Sequence, residues 1–300
     1  EYIPGDGKFW VTKASAIKSK LFSSSDIQSI IKKAIVDRMK KPYKTEWFEE
    51  NGSEYPLRVF ILKDEVTIGI DTSGDSLHKR GYRLLNSIAP ISETLAAALI
   101  MLTPWNKDRI LVDPFCGSGT FAIEAALIGA NIAPGMNRTF HSQEWDNLIP
   151  KREWYDVIDE ANDMIDHSVT MDIQAFDIDG DIVKAARENA IKDKVEQHIH
   201  FQQRPVNSLS HPKKYGFIIT NPPYGERLET EDTLPAIYKD FGEQFKELDS
   251  WSAYVITGYE DVEKYMGRKA DKNRKIYNGM IKTYYYQYIG PKPPKQNNRR

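Results

Sequence analysis

Arg109-Ile110-Leu111-Val112-Asp113-Pro114-Phe115-Cys116-Gly117-Ser118-Gly119-Thr120 carries a buried strand, Arg109–Val112, straight into a glycine-bearing turn. A helix over Gly119–Leu127 comes next, and apolar strand, tight turn and helix in succession open an α/β unit. The alternation continues downstream. Strands are predicted at Ile173–Phe176, Ile199–Gln203, Gly216–Thr220 and Ala253–Thr257, with a last, tyrosine-rich strand at Thr283–Ile289. Helices are predicted at Gly180–Ile191 and Ala236–Leu248, and one at Ile91–Leu102 ends before Pro104. Such a pattern predicts a mostly parallel sheet with helices on both faces. Between Asn131 and Val169 it breaks into an insert with Pro134, Gly135, Trp145 and Trp154, read as irregular.

Upstream lies a smaller unit. The sequence divides into residues 1–83, a second domain over 84–290 and a basic tail over 291–300. Phe9-Trp10-Val11 reads as a short strand. Ser24-Ser25-Asp26 caps a helix over Ile27–Lys40, where Ile27, Ile30, Ile31, Ala34, Ile35 and Met39 recur at helical spacing. Pro42 and Gly52 punctuate the stretch after this helix. Leu57–Leu62 and Val66–Ile70 predict two strands joined by the turn Lys63-Asp64-Glu65, completing a small α+β unit.

Composition excludes several classes. The longest apolar runs fall short of 18 residues, so no membrane span is expected, and no signal peptide opens the chain. One cysteine forms no internal disulfide framework, and a cytoplasmic location is expected. No His, Cys and carboxylate set has metal-ligand spacing. The chain opens at Glu1 rather than an initiator Met and reads as part of a longer protein. Its net charge of -2 hides an asymmetry: residues 1–83 hold 15 Lys/Arg and 12 Asp/Glu, residues 84–263 hold 15 and 30, and residues 264–300 hold 11 and 1. Basic ends around an acidic middle suit a phosphate-binding rim around a site for a cationic ligand. A solvated basic tail is the plainer reading of residues 291–300.

Ligands of open α/β sheets bind at the carboxyl ends of the strands, and three segments fall there. In Asp113–Thr120, Gly117 and Gly119 permit a tight turn and close backbone approach, with Phe115, Cys116, Ser118 and Thr120 completing a ligand loop. No Lys-Ser/Thr pair comes after it, so the loop is not of the Walker type. Gly117, Gly119 and Ala122 match G-x-G-x-x-A, which keeps a dinucleotide open as ligand beside S-adenosylmethionine. Asp177, in Phe176-Asp177-Ile178-Asp179, ends the second strand and can accept from both hydroxyls of a ribose, while Asp179 is placed to cap the next helix.

The third segment, Thr220-Asn221-Pro222-Pro223-Tyr224-Gly225, is the most specific. Two prolines set φ and remove two donors, leaving a rigid turn of acceptors. The Asn221 side-chain oxygen and the Pro222 carbonyl can each accept from one N–H of an amino group. That orients the nitrogen and favours the positive charge it gains on methylation. Tyr224 offers a face for a base to stack on. The chemistry needs orientation and electrostatics and no covalent intermediate. Carbon-5 methylation of pyrimidines would require a cysteine nucleophile, and Cys116 sits in the ligand loop instead. A base within a duplex must be flipped or lie in a loop or single strand.

Asp113–Thr120, Asp177 and Asn221–Tyr224 together resemble the cofactor loop, ribose acid and N-P-P-Y turn of amino-methyltransferases. Leu77-His78-Lys79-Arg80-Gly81-Tyr82-Arg83, Ala89-Pro90-Ile91 with Glu93–Ala97, Ile132-Ala133-Pro134-Gly135 with Asn137-Arg138, and Asn221–Leu228 resemble the THUMP-domain RNA methyltransferases. Within them the similarity is to the guanine-N2 enzymes of large-subunit ribosomal RNA. The resemblance implies a Rossmann-like S-adenosylmethionine-dependent methyltransferase with a THUMP-type RNA-binding region at 1–83, acting on RNA, and a ferredoxin-like segment ahead of Glu1. It implies cofactor contacts from Asp113, Phe115–Thr120, Asp177, Ile178, Asn207 and Asn221, with Asn221, Pro222, Pro223 and Tyr224 catalytic. Where the family delivers an acid toward adenine, this chain has Arg204-Pro205-Val206-Asn207-Ser208, so Asn207 is assigned that position through its amide. Three rivals remain open: adenine-N6 methylation of DNA or RNA, a nicotinamide-dependent oxidoreductase, and a catalytically inactive RNA-binding protein.

Overall fold

A computed structural model describes residues 2–83, 90–224 and 233–294. Of the features singled out above, Glu1, Ala89, Gly225–Leu228 and the tail from residue 295 lie outside them. In chain order the elements are β1 (Lys8–Ile17), α1 (Ser24–Tyr43), β2 (Glu54–Leu62), β3 (Glu65–Ile70), α2 (Glu93–Met101), β4 (Leu111–Asp113) and α3 (Thr120–Gly129). Then come α4 (Lys151–Asp163), β5 (Ile173–Asp177), α5 (Gly180–Lys192), β6 (Ile199–Gln203), β7 (Phe217–Thr220), α6 (Leu234–Glu247), β8 (Ser252–Thr257), α7 (Val262–Met266), β9 (Lys272–Asn278) and β10 (Ile281–Tyr288). They fall into two compact units, residues 1–77 with 138–160, and residues 78–137 with 161–300.

In the first unit β1 runs parallel to β2, and β2 pairs antiparallel with β3. Lys63 and Asp64 both take positive φ between the paired Leu62 and Glu65, the type I′ geometry whose twist suits a two-residue hairpin. Helix α1 starts where Ser23 accepts from the Asp26 N–H, and it buries Ile27 and Met39. Alternate residues of β2, Leu57, Val59 and Ile61, point into the same core. Two sequence expectations change here. Strand β1 extends well beyond residues 9–11. The insert, read as irregular, contributes α4 and adds Trp145 to this core. Its ring stacks on Tyr55 at 5.0 Å, and its Nε1–H donates to the Glu54 carbonyl at 2.8 Å.

The second unit is a seven-stranded sheet in the order β6-β5-β4-β7-β8-β10-β9. The first five strands are mutually parallel, and β10 and β9 are antiparallel additions. Neighbouring strand residues serve opposite faces. Leu111, Ile219 and Ile256 join the core under α2, α3 and α5, while Val112, Ile218 and Val255 join the core under α6 and α7. A doubly covered sheet explains why these strands read as unbroken apolar runs. Strand β9 was not expected: Lys-Asn-Arg-Lys-Ile-Tyr-Asn has no apolar alternation, and it pairs on one side only, as an edge. Among the described residues, no helix is long and apolar enough to cross a membrane.

Helices α6 and α7 meet at Gly242, where a Cβ would lie 1.9 Å from the Tyr265 carbonyl oxygen. Alanine would add about 1 kcal/mol of helix propensity, yet backbone cannot yield to it. Gly242→Ala is therefore expected to lower stability by about 2 kcal/mol or more, read as a reduced urea midpoint.

Candidate active site

The strand order reverses between β4 and β7, and the loops leaving their carboxyl ends diverge to open a crevice. A cavity of about 650 Å³ lies there, within the range of small-molecule sites. Asp113 ends β4 at 1% exposure. Its Oδ1 accepts from the Thr220 hydroxyl at 2.6 Å and from the Phe115 N–H at 3.2 Å. Burial outweighs these bonds and pushes the carboxyl up to about 7.

The loop from Asp113 to α3 is held from β5 and α5. The Cys116 N–H donates to the Phe176 carbonyl at 2.8 Å, and the Asn189 amide donates to the Ser118 carbonyl at 3.1 Å. Its two glycines have different duties. Gly117 takes φ +49° in open space, whereas Gly119, at φ +84°, also brings the loop against α5, where a Cβ would lie 3.1 Å from that of Ala186. The first turn of α3 lines the cavity through Thr120 and Phe121. Arg83 supports that turn, donating to the Thr120 hydroxyl and the Ile91 carbonyl, each at 3.0 Å. Cys116 is buried, which holds its thiol well above the usual range and leaves it neutral.

Asp177 projects from β5 into the cavity. Its carboxylate accepts from the Gly117 N–H at 3.1 Å and the Asp179 N–H at 3.1 Å, and burial raises its pKa. Asp179 caps α5, accepting from the Asp181 and Ile182 N–H groups. Ile178 and Asn207 lie on the cavity wall, and Asn221 and Pro223 bring the Asn-Pro-Pro turn to it. The Pro223 carbonyl accepts from the Tyr238 hydroxyl at 3.1 Å. Pro222 is buried and does not line the cavity.

Tyr224 departs from expectation. A face open to a stacked base was anticipated, but the ring is 2% exposed and lies outside the cavity wall. Its hydroxyl accepts from the Asn278 amide at 3.0 Å, satisfying the polar end inside. Sequence reasoning also missed Ile237 and Asp240, which reach the cavity one turn apart on α6. The i, i+3 spacing was visible, but nothing local marked which face of α6 meets the site.

The Asp177, Asp179 and Asp240 carboxylates and the buried Asp113 carboxyl line the cavity, and among the described residues no Lys, Arg or His does. That lining suits a ligand carrying sulfonium and ammonium cations and disfavours the pyrophosphate of a dinucleotide. The residues present therefore fit S-adenosylmethionine. Among the described residues no group of His, Cys, Asp and Glu has the arrangement of a metal site.

Residues 80–287 match the family described as "RMKL-like, methyltransferase domain", and residues 1–71 match the THUMP domain. The chain is 47% identical over 302 residues to "Putative RNA methyltransferase YpsC" of Bacillus subtilis (strain 168), covering 99% of this chain and 78% of that protein. It is 36% identical over 266 residues to "Ribosomal RNA large subunit methyltransferase K/L" of Shewanella pealeana, covering 86% of this chain but 37% of that protein. Among solved structures, SMU.472, "a putative methyltransferase complexed with SAH", superposes with a TM-score of 0.90 at 42% identity, covering 98% of this chain and 78% of its own.

Burial of Asp113 sets a pH signature. Unfolded, the carboxyl titrates near its ordinary 3.8; folded, near 7. Between those values only the folded chain keeps the proton, so stability falls as pH rises. Asp113→Asn retains an acceptor for Thr220 without the ionisation. Wild type is expected to lose on the order of 2–4 kcal/mol relative to that variant between about pH 4 and 7, then hold level. Denaturant melts of both proteins across this range measure it, and a pH-independent difference would refute the assignment.

Proposed function

The chain belongs to the RMKL-like methyltransferases with a THUMP domain, and we propose that it methylates an exocyclic amino group in RNA, guanine N2 of large-subunit ribosomal RNA. The methyl donor is S-adenosylmethionine, which supplies a methyl group already activated by its sulfonium. The observation that carries the reading is the Asn221–Pro223 turn at the wall of an acidic cavity, one residue beyond the buried Thr220–Asp113 pair. The names of the two curated relatives, each an RNA methyltransferase, support RNA as substrate, as does the THUMP domain.

In this reading Asp177 accepts from the ribose hydroxyls, and Asn207 meets the adenine edge. Phe115 and Ile178 supply apolar contact, and the Gly117–Thr120 backbone lies against the rest of the donor. Asn221, on the cavity wall, accepts from the target amino group through its side-chain oxygen, whereas the Pro222 carbonyl, expected as a second acceptor, belongs to a buried residue off that wall. An acceptor fixed by a rigid turn orients the nitrogen and stabilises the charge that develops there. The first unit, which holds most of residues 1–83, forms the RNA-binding region, and the second, which holds most of residues 84–290, the catalytic domain.

Asn221→Ala is expected to reduce methyl transfer by about 100-fold or more while S-adenosylmethionine affinity stays within a few-fold. Normal turnover would remove the catalytic assignment. Asp177→Ala is expected to weaken S-adenosylmethionine binding by about tenfold or more in calorimetry, and unchanged affinity would remove the ribose role. Base identity is read from radiolabelled S-adenosylmethionine with undermethylated ribosomal RNA and with DNA, then nucleoside analysis. Label in N2-methylguanosine supports the proposal; label in N6-methyladenine keeps the mechanism and replaces the substrate.

A further inference from the structure

Strands β9 and β10 form a hairpin at the edge of the sheet, and one of its faces alternates lysine with tyrosine, of which Tyr284 also packs against the core. Register places Lys282 opposite Tyr277 and Tyr284 opposite Lys275. These four share a face, with lysine and tyrosine alternating both along and across the strands. Lys275 lies over the Tyr277 ring at 5.3 Å, and Lys282 over the Tyr284 ring at 5.2 Å. Tyr277 is 58% exposed, and both lysines are exposed. From Lys272 to Tyr288 the chain carries Lys272, Arg274, Lys275 and Lys282 and no acid. Glu260, on the neighbouring loop, lies close enough to act on Lys282.

The hairpin reaches the catalytic turn. Tyr284 pairs with Thr257, the last residue of β8, so the preceding residues of β10 run past the carboxyl edge of the sheet. Gly279 alone has positive φ in the two-residue turn, as a type II′ hairpin requires. Asn278, next to Tyr277, donates to the Tyr224 hydroxyl at 3.0 Å. At Gly258 a Cβ would lie 3.1 Å from the Tyr224 ring and 3.3 Å from the Lys282 carbonyl oxygen. The catalytic turn and the hairpin thus share one packed joint.

We propose that the face bearing Lys275, Tyr277, Lys282 and Tyr284 binds the single-stranded RNA that flanks the target nucleotide. The lysines take backbone phosphates, and a flanking base stacks on Tyr277. Cations interleaved with an exposed aromatic ring, that of Tyr277, are what a splayed strand needs, and no side chain here reads base edges, so the contact is sequence-tolerant. The cavity, walled by carboxylates, repels phosphates, and this basic face is where the strand leaving it finds counter-charge.

This inference rests on RNA being the substrate, and the experiment separates the two. Undermethylated ribosomal RNA is bound to wild type and to the Lys275→Ala/Lys282→Ala and Tyr277→Ala variants over a salt series, and methyl transfer is measured in parallel. The double variant is expected to flatten the slope of log affinity against log salt by about 1.4, two phosphates' worth for single strands. It should raise KM for RNA while leaving S-adenosylmethionine affinity unchanged. Tyr277→Ala is expected to weaken RNA binding about tenfold with the slope intact, and Tyr277→Phe to restore it. Wild type that methylates the RNA while both variants match it in slope, affinity and KM overturns the hairpin proposal alone. Wild type that methylates DNA and not RNA overturns the RNA reading and this inference with it.

Discussion

The hydrogen bond from Thr220 to Asp113 joins the carboxyl ends of β4 and β7 at the point where the sheet reverses its strand order. Both groups are buried, so the bond has no competition from water, and losing either partner would strand the other. Two of the segments that line the cavity leave from its two ends: Asp113 begins the loop toward α3, and Thr220 begins the Asn-Pro-Pro turn. Pairing of β4 with β7 registers only Leu111 and Val112, so backbone bonding stops before the loops begin, and the side chains continue it. The distance between the Asp113–Thr120 loop and the Asn-Pro-Pro turn is thus set by one short polar contact in an apolar surrounding.

Charge is divided around this joint. Carboxyl groups line the cavity, while the hairpin beside the Asn-Pro-Pro turn carries cations. In the sequence this appeared as an acidic middle and a basic end, and the fold brings part of that end, β9 and β10, to the site. A cationic donor and an anionic acceptor strand need opposite surroundings within a short span. One uniform field would serve only one of them.

Much of this was legible because it is local. Strand, glycine loop and helix over residues 109–127 are dictated by adjacent residues, as are the carboxylates at 177 and 179 and the rigid turn at 221–223. What escaped depends on distant partners. Tyr224 is buried because Asn278, 54 positions away, satisfies its hydroxyl. Trp145 joins the first unit because Glu54, 91 positions away, accepts from its indole. Asp240 lies on the cavity wall through the placement of α6, which no neighbouring residue announces. Strand β9 lacks a periodic signal because an edge buries little, and its pairing with β10 supplies the order instead.

That edge has a consequence for the chain's behaviour among its own copies. A terminal strand exposes a row of backbone donors and acceptors on which another strand can grow, the usual origin of edge-to-edge aggregation. Lys272, Arg274 and Lys275 stand exposed along β9, so two such edges meeting would bring like charges together. Lys275, proposed to hold RNA, therefore also serves with Lys272 and Arg274 as a gatekeeper of solubility. Selection acting on one role would constrain the other, because a neutral edge that bound RNA less would also be a stickier one.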